Sequence, residues 1–159
     1  MRIIPLLLSI LLVGCSSSSS SDSGTTATTK TGSDDPKAAL DKAAAEPGAT
    51  RTPSGLVYRE LTAGSGESPK ASDTVTVNYR GTLLNGTEFD SSYKRNEPAQ
   101  FPLSRVIPCW TEGVQRMKVG GKSRLTCPAA LAYGDAGAPP SIPGGATLIF
   151  EVELLSIAH

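Results

Sequence analysis

The sequence predicts an α+β fold for residues 53–159, in which a five-stranded, mostly antiparallel sheet curves around one short helix. Several segments alternate apolar and polar residues with the period of two that is typical of strands with one buried face. The dipeptide Asn85-Gly86 is the strongest short signal for a β-hairpin. Only residues 110–117 place apolar side chains at helical spacing, and a single helix and a one-sided sheet can bury each other only by packing together.

The first fifteen residues are predicted to be a targeting segment. Arg2 precedes an apolar run over residues 3–13, which is shorter than the roughly 20 residues of a membrane-spanning helix but suits the core of a signal peptide. The run ends in Leu-Val-Gly-Cys, which resembles the bacterial lipobox, and this makes Cys15 the expected lipidation site. The alternative is an ordinary secretory signal. Because Ser16 follows, the pattern resembles that of proteins sorted to the outer membrane, so we expect an envelope lipoprotein that faces the periplasm.

Residues 16–52 are predicted to form a flexible tether. Up to about residue 35 they are rich in Ser, Thr and Gly, and such a composition buries too little apolar surface to offset the entropy of ordering. Residues 35–46 favour a short helix within the tether, because Asp35 is a capping residue, Pro36 fits the first helical position and alanines follow. The folded domain is therefore expected to begin at Pro53.

Five segments in this domain have strand patterns: residues 55–61, 73–81, 83–89, 122–127 and 146–157. The alternation predicts an inward face made of Val75, Val77, Tyr79, Ser123, Leu125, Cys127, Leu148, Phe150, Val152 and Leu154. It predicts an outward, wettable face that includes Thr74, Thr76, Asn78, Arg80, Lys122, Arg124, Thr126, Thr147, Glu151 and Glu153.

The predicted helix carries Trp110, Val114 and Met117 at positions i, i+4 and i+7, and Gly120 and Gly121 end it. Trp110, at the start of this helix, should lie between helix and sheet. A sheet that curves around so short a helix leaves a hollow at one end. The segment before the helix is therefore expected to be core on one side and pocket floor on the other.

Composition argues against several classes of function. The chain has 15 basic and 15 acidic side chains, whereas nucleic-acid binders usually have a basic excess. The single histidine, His159, is the last residue of the sequence, which disfavours a His-centred metal site or a Ser-His-Asp relay. We expect no metal and no cofactor.

The cysteine count favours a disulfide. If Cys15 carries lipid, Cys109 and Cys127 remain, and export would place them in an oxidising compartment. A bridge between them would close a loop of about 18 residues and stabilise the fold by roughly 3 kcal/mol. The alternative is a pair of buried free thiols.

Four segments resemble one family in order, spacing and residue type: VTVNYRGTLLNGTEFDSS, VIPCWTEGVQRMKVGGKSRLTCP, LAYGDAG and GGATLIFEVELL. They are similar to the FKBP-type peptidyl-prolyl cis-trans isomerases, and the resemblance covers essentially all of residues 53–157. It implies a half-barrel sheet around a short helix, with an apolar cleft that receives a proline ring. It also implies catalysis of X-Pro bond rotation in exported, proline-containing polypeptides, and inhibition by tacrolimus-like macrolides.

The resemblance also implies roles for individual residues. The substrate-binding residues are expected to be Tyr79, Phe89, Asp90, Phe101, Val106, Ile107, Trp110, Tyr133, Ile142 and Phe150. The residues expected to serve catalysis are Asp90, Tyr133, Phe89, Ile107 and Trp110. Trp110 would be the floor, Asp90 the carboxylate of the cleft, and the Tyr133 hydroxyl and Ile107 N–H the two donors to substrate carbonyls.

The residues alone leave part of this open. Trp110 by itself is more typical of ordinary core, and an aspartate after a hairpin is more often a turn former. A regular strand would put Phe89 and Asp90 on opposite faces, so both reach the cleft only if the strand bends there.

Some positions depart from the family pattern. Ala99, Ala138 and Ser141 replace larger side chains found in relatives, which thins the rim of the cleft and bears on inhibitor affinity. The segment between Tyr133 and Thr147 is too short for an inserted chaperone domain, and the tether is too short for a helical dimerisation arm, so we expect a monomer. The alternatives to catalysis are a non-catalytic client-binding module with the same fold and a structural lipoprotein.

Overall fold

The computed structural model describes residues 35–159, and the predicted signal peptide, the Cys15 lipidation site and most of the Ser-rich tether lie outside these residues. The elements, in chain order, are α1 (Pro36–Ala44), β1 (Ala49–Arg51), β2 (Val57–Thr62), β3 (Thr74–Leu83), β4 (Glu88–Ser91), α2 (Ser92–Arg95), β5 (Ala99–Pro102), a 3₁₀ turn (Leu103–Arg105), α3 (Pro108–Val114), β6 (Lys122–Cys127), a 3₁₀ turn (Ala129–Leu131) and β7 (Leu148–Ala158). No helix within residues 35–159 has the length and apolar character needed to cross a membrane.

The strands form one antiparallel sheet in the order β1-β2-β6-β7-β3-β4, with β5 also paired to β3. The α+β class and the curved sheet around a short helix are confirmed, but the sheet has seven strands rather than five. The two extra strands are β1 and β5, of three and four residues. Segments this short contain too little alternation to be recognised, and it is their pairing with β2 and β3 that makes them strands.

The folded region begins before Pro53, the start that the sequence predicts, because α1 and β1 precede this residue. The predicted helix is present as α1, and the Asp35 carboxylate caps it by accepting a hydrogen bond of 2.9 Å from the Lys37 N–H. Leu40 on α1 is buried, and Glu46 just after α1 forms an ion pair with Arg59 of β2. Residues 36–51 therefore belong to the domain, because tertiary packing orders a segment whose composition alone predicts a tether.

The inward face of the sheet agrees with the alternation, since all ten side chains predicted to face inward are buried. Thr126 and Thr147 were expected to face outward and are also buried, at 3% and 2% exposure. Thr126 lies in a groove together with Ala39 and Ala43 of α1, so this helix covers part of the outer face. Thr147 precedes β7, so the strand alternation does not apply to it.

The central helix α3 begins two residues earlier than predicted, at Pro108, which suits a first helical position. It ends at Val114, and Met117 lies beyond it in a tighter turn. The Met117 N–H donates to the Val114 carbonyl at 3.0 Å. Trp110, Val114 and Met117 are all buried, as their spacing predicted. Gly113 lets α3 approach β6 closely, because a Cβ at this position would lie 2.7 Å from a Leu125 methyl group.

Cys109 of α3 and Cys127 at the end of β6 meet in the core. Both are fully buried, and their Cα atoms are 5.9 Å apart. The Cα separation lies in the range that a disulfide requires. A bridge here would connect the helix that carries Trp110 to the middle of the sheet, and it stays a prediction.

Candidate active site

An aromatic cleft opens where α3 meets the curved inner face of the sheet. Its cavity has a volume of about 310 Å³, at the lower end of the range usual for small-ligand sites. It is lined by Tyr79, Phe89, Asp90, Phe101, Arg105, Val106, Ile107, Trp110, Tyr133 and Phe150. Nine of the ten residues predicted to bind substrate therefore border one cavity.

Trp110 is the floor of this cleft. The rings of Tyr79, Phe101 and Phe150 lie 5.3, 5.4 and 5.4 Å from the indole, centroid to centroid, and stand nearly perpendicular to it. Such edge-to-face contacts are favourable between aromatic rings, so the indole is held on several sides. The indole is only 4% exposed, yet it borders the cavity. This agrees with the prediction that one side of this segment packs into the core and the other side forms the floor of the pocket.

A bulge in β4 brings Phe89 and Asp90 into the same cleft. The pairing with β3 passes from Gly81–Asp90 directly to Thr82–Glu88, so Phe89 is an extra residue without a partner. A bulge of this kind bends the strand and re-aims its side chains. The bend that the sequence required for both residues to reach the cleft is therefore present.

Gly81 shapes this corner of the cleft, and the sequence analysis did not identify it. A Cβ at this position would lie 2.5 Å from the Phe89 ring and 2.9 Å from the Phe150 ring. The two rings pack edge to face at 5.6 Å across the glycine. The sequence did contain a signal for this role, because a glycine inside a strand pattern often marks a place where another group approaches the backbone closely.

Asp90 is held by three donors. The Tyr79 hydroxyl donates to Oδ2, Arg95 Nη1 donates to Oδ1 at 2.7 Å, and the Ser91 N–H donates to Oδ1 at 2.8 Å. The Arg95 guanidinium also donates to the Tyr79 hydroxyl oxygen at 3.0 Å and lies 5.7 Å from the centre of the Tyr79 ring. These contacts fix the position of both the carboxylate and the phenol.

This network shifts two pKa values in opposite directions. Burial by itself raises the pKa of Asp90, but the hydrogen bonds from Tyr79 and Arg95 outweigh it, so the pKa lies below its usual value. Burial, together with the hydrogen bond to the Asp90 carboxylate, raises the pKa of Tyr79. At neutral pH the cleft therefore contains a carboxylate whose charge Arg95 already balances. Arg95 lies in α2, a single helical turn whose place beside Asp90 no sequence pattern indicated.

Two hydrogen-bond donors at the cleft are free within the described part of the chain. Ile107 is the N-cap of α3, and its carbonyl accepts from the Trp110 N–H at 2.9 Å. Its own N–H has no acceptor among residues 35–159, and neither has the hydroxyl of Tyr133, which is 42% exposed. Both groups can therefore bind carbonyl oxygens of a ligand seated on Trp110.

Ile142 is the predicted binding residue that does not line the cleft. It is 5% exposed and packs into the core. Its backbone pairs with Ala138 in both directions, at 2.9 and 3.0 Å, and so closes the loop before β7. Arg105, at the end of the 3₁₀ turn, lines the cleft and was not predicted.

The chemistry of the site follows from these features. An apolar cavity walled by rings suits a small apolar ring, and the two free donors suit the carbonyls that flank it. Within residues 35–159 no three His, Cys, Asp or Glu side chains converge as a metal site would require.

The sequence and structure are similar to proteins of known type. The family model described as FKBP-type peptidyl-prolyl cis-trans isomerase matches residues 65–155. The FKBP-type isomerase FkpA of Escherichia coli K12 is 55% identical over 121 residues, which are 76% of this chain and 44% of that protein. The peptidyl-prolyl cis-trans isomerase Mip of Coxiella burnetii is 51% identical over 112 residues, which are 70% of this chain and 49% of that protein.

A solved structure supports the same assignment. The crystal structure of Escherichia coli FkpA superposes with a TM-score of 0.75 at 53% identity, covering 77% of this chain and 57% of that one. The present chain spans about half the length of the curated relatives that it matches.

Proposed function

We propose that this chain, which belongs to the FKBP-type peptidyl-prolyl cis-trans isomerase family, accelerates rotation about X-Pro bonds in exported polypeptides. The observation that carries the proposal is the cavity of about 310 Å³ on Trp110, bordered by aromatic rings and by two donors that have no acceptor among residues 35–159. A proline ring is the part of a polypeptide that is small, cyclic and apolar, with carbonyls on both sides.

The reaction requires no bond to be made or cut. Rotation about an X-Pro bond crosses a barrier of about 18–20 kcal/mol because the resonance of the amide is lost on twisting. Without a catalyst it takes tens to hundreds of seconds. Since the twisted amide is less dipolar at its oxygen than the planar amide, an apolar and water-poor cleft destabilises the planar form relative to the twisted form.

The residues of the cleft divide this work. Trp110 and the rings around it supply the apolar surroundings of the proline. The Ile107 N–H and the Tyr133 hydroxyl hold carbonyls of the substrate in a turn, which favours the transition state when the turn resembles it more than it resembles the ground state.

Asp90 acts mainly as an organiser in this mechanism. Its carboxylate positions the Tyr79 hydroxyl and is itself paired with Arg95. A group held in this way contributes a fixed electrostatic environment for the twisting carbonyl, and its protonation does not have to change during rotation.

The location of the enzyme is part of the proposal. The lipobox pattern at Cys15 supports a lipid anchor, and several acyl chains on one cysteine exceed the two signals that stable anchoring requires. We infer an outer-membrane lipoprotein that faces the periplasm and acts as a monomer. Its clients are exported proteins, and tacrolimus-like macrolides compete for the cleft.

An oxidising compartment supports a disulfide between Cys109 and Cys127. It would connect the helix below the cleft floor to β6. Mass spectrometry of non-reduced peptides tests the bridge, and recovery of two free thiols from protein isolated without reductant contradicts it.

Proline-limited refolding of a model protein and a protease-coupled peptide assay test the activity. We expect turnover by the wild type, inhibition by a tacrolimus-like ligand and a loss of at least tenfold in kcat/KM for Trp110→Leu, equivalent to about 1.4 kcal/mol in the barrier. Tyr93→Leu is the matched control, because Tyr93 is an exposed aromatic residue outside the cleft. Circular dichroism verifies that both variants are folded.

The rival function is a non-catalytic module that binds unfolded clients through the same cleft. It predicts that proline peptides change the fluorescence of Trp110, the only tryptophan, while isomerisation stays at the uncatalysed rate. Binding without turnover would replace the proposed activity with this one.

A further inference from the structure

Arg105 places a positive charge at the rim of the cleft. It ends the 3₁₀ turn before α3, directly precedes Val106 and Ile107, and lines the same cavity as Trp110. Its side chain is exposed. The guanidinium is therefore accessible to a ligand that fills the cavity.

This charge has no partner within the described part of the chain. No carboxylate of residues 35–159 forms an ion pair or hydrogen bond with Arg105, whereas the other six arginines of this range are all in ion pairs. The second charged residue of the lining, Asp90, is already engaged by Arg95 and Tyr79. The charge in the cleft that remains available for a ligand is therefore positive.

We propose that Arg105 is a specificity-determining residue that gives the cleft a preference for an acidic side chain next to the proline. The inference rests on the proposed function for its substrate class. The proline ring has no polar side-chain atom to meet a guanidinium, so Arg105 can reach only the residues that flank it. A planar guanidinium pairs with a carboxylate through two parallel hydrogen bonds, which favours Asp and Glu over neutral residues.

The expected preference is modest, because both partners would be partly solvated. An exposed ion pair of this kind changes an equilibrium about two- to fivefold. The preference should disappear in about 1 M salt, where charges are screened over roughly 3 Å. An effect that came from shape alone would not respond to salt in this way.

Peptides that differ only by Glu and Gln test the proposal. In one pair of peptides the Glu or Gln stands directly before the proline, and in a second pair it stands directly after. The value of kcat/KM is measured for both peptides of each pair. The readout is the Glu/Gln ratio within each variant, so a change in overall activity cancels. We expect a ratio of about two to five for the wild type at one or both positions, a ratio near one for Arg105→Gln, and preference for a Lys peptide over Gln in Arg105→Glu.

Arg116→Gln is the matched control. It removes the same charge from the turn that follows α3, where Arg116 is paired with Glu112 outside the cleft. The control should keep the wild-type ratio. A wild-type ratio near one at both positions, a ratio that survives in Arg105→Gln, or an equal loss in Arg116→Gln overturns the proposal.

Binding of the same peptides, followed by Trp110 fluorescence, separates this inference from the proposed activity. If no peptide is turned over but the Glu peptide binds two- to fivefold more tightly and Arg105→Gln removes the difference, the catalytic proposal fails and the role of Arg105 stands. Equal binding of the Glu and Gln peptides, with or without turnover, contradicts the role of Arg105.

Discussion

Replacing Gly81 with alanine should disturb both the cleft and the stability of the fold. The added Cβ would lie 2.5 Å from the Phe89 ring and 2.9 Å from the Phe150 ring, so at least one ring must move. Overpacking of this kind costs about 1–3 kcal/mol, and alanine recovers about 0.5–1 kcal/mol because it is less flexible than glycine in a strand. The free energy of unfolding should therefore fall by up to about 2.5 kcal/mol.

The same substitution should also lower the catalytic activity. Displacing Phe89 removes its edge-to-face contact with Phe150, worth about 0.5–1.5 kcal/mol, and removes one wall of the proline site. We expect kcat/KM to fall about tenfold, the equivalent of about 1.4 kcal/mol. Urea unfolding followed by Trp110 fluorescence and the protease-coupled assay measure the two quantities on the same protein.

A double-mutant cycle identifies the cause. Phe89→Leu leaves room for the new methyl group, so the stability costs of Gly81→Ala and Phe89→Leu should be non-additive by about 1 kcal/mol, as is usual for residues in contact. Additive costs, or wild-type activity in Gly81→Ala, would refute the argument that the glycine is there to admit the ring.

Two further predictions concern the carboxylate network and the cysteines. Tyr79→Phe should raise the pKa of Asp90, measured by NMR titration of its side-chain carbonyl, because one of the hydrogen bonds that lower this pKa is lost. An unchanged pKa would mean that Arg95 and the Ser91 N–H set it without Tyr79. In the wild type the lowered pKa of Asp90 stabilises the fold at pH values above the unfolded-state pKa of about 3.9. This contribution is lost as the pH falls through the folded-state pKa. Because the pKa is lowered less in Tyr79→Phe, this variant should lose less stability on acidification. If Cys109 and Cys127 are bridged, reduction should lower the free energy of unfolding by roughly 3 kcal/mol for a loop of about 18 residues, seen as a lower urea midpoint with reductant; a midpoint that does not change would contradict a stabilising bridge.

Three aromatic residues of the site were predictable because the elements that carry them have a clear periodicity. The alternation in β3 and β7 placed Tyr79 and Phe150 on the inner face, and the stripe in α3 placed Trp110 against them. Their role as a binding site came from the resemblance to a family, since the same patterns are typical of ordinary core.

The sequence was less informative where a partner determines the structure. Residues 36–51 have the composition of a tether, yet they belong to the domain. Helix α1 packs on the outer face of the sheet, and β1 pairs with β2 at its edge. The resemblance to the family predicts Ile142 as a binding residue. In the structure its backbone pairs with Ala138, and its side chain is buried in the core instead of lining the cleft.

By itself the sequence determined the α+β class, the inward face of the sheet and the helix that carries Trp110, because periodicity is a local property of the chain. Only the tertiary structure decided that Gly81 admits two rings, that Arg95 holds Asp90, and that Arg105 reaches the rim of the cleft with no carboxylate of residues 35–159 beside it. These are contacts between elements that are close in space and related by no sequence period, so they are fixed only when the sheet has curved around the helix.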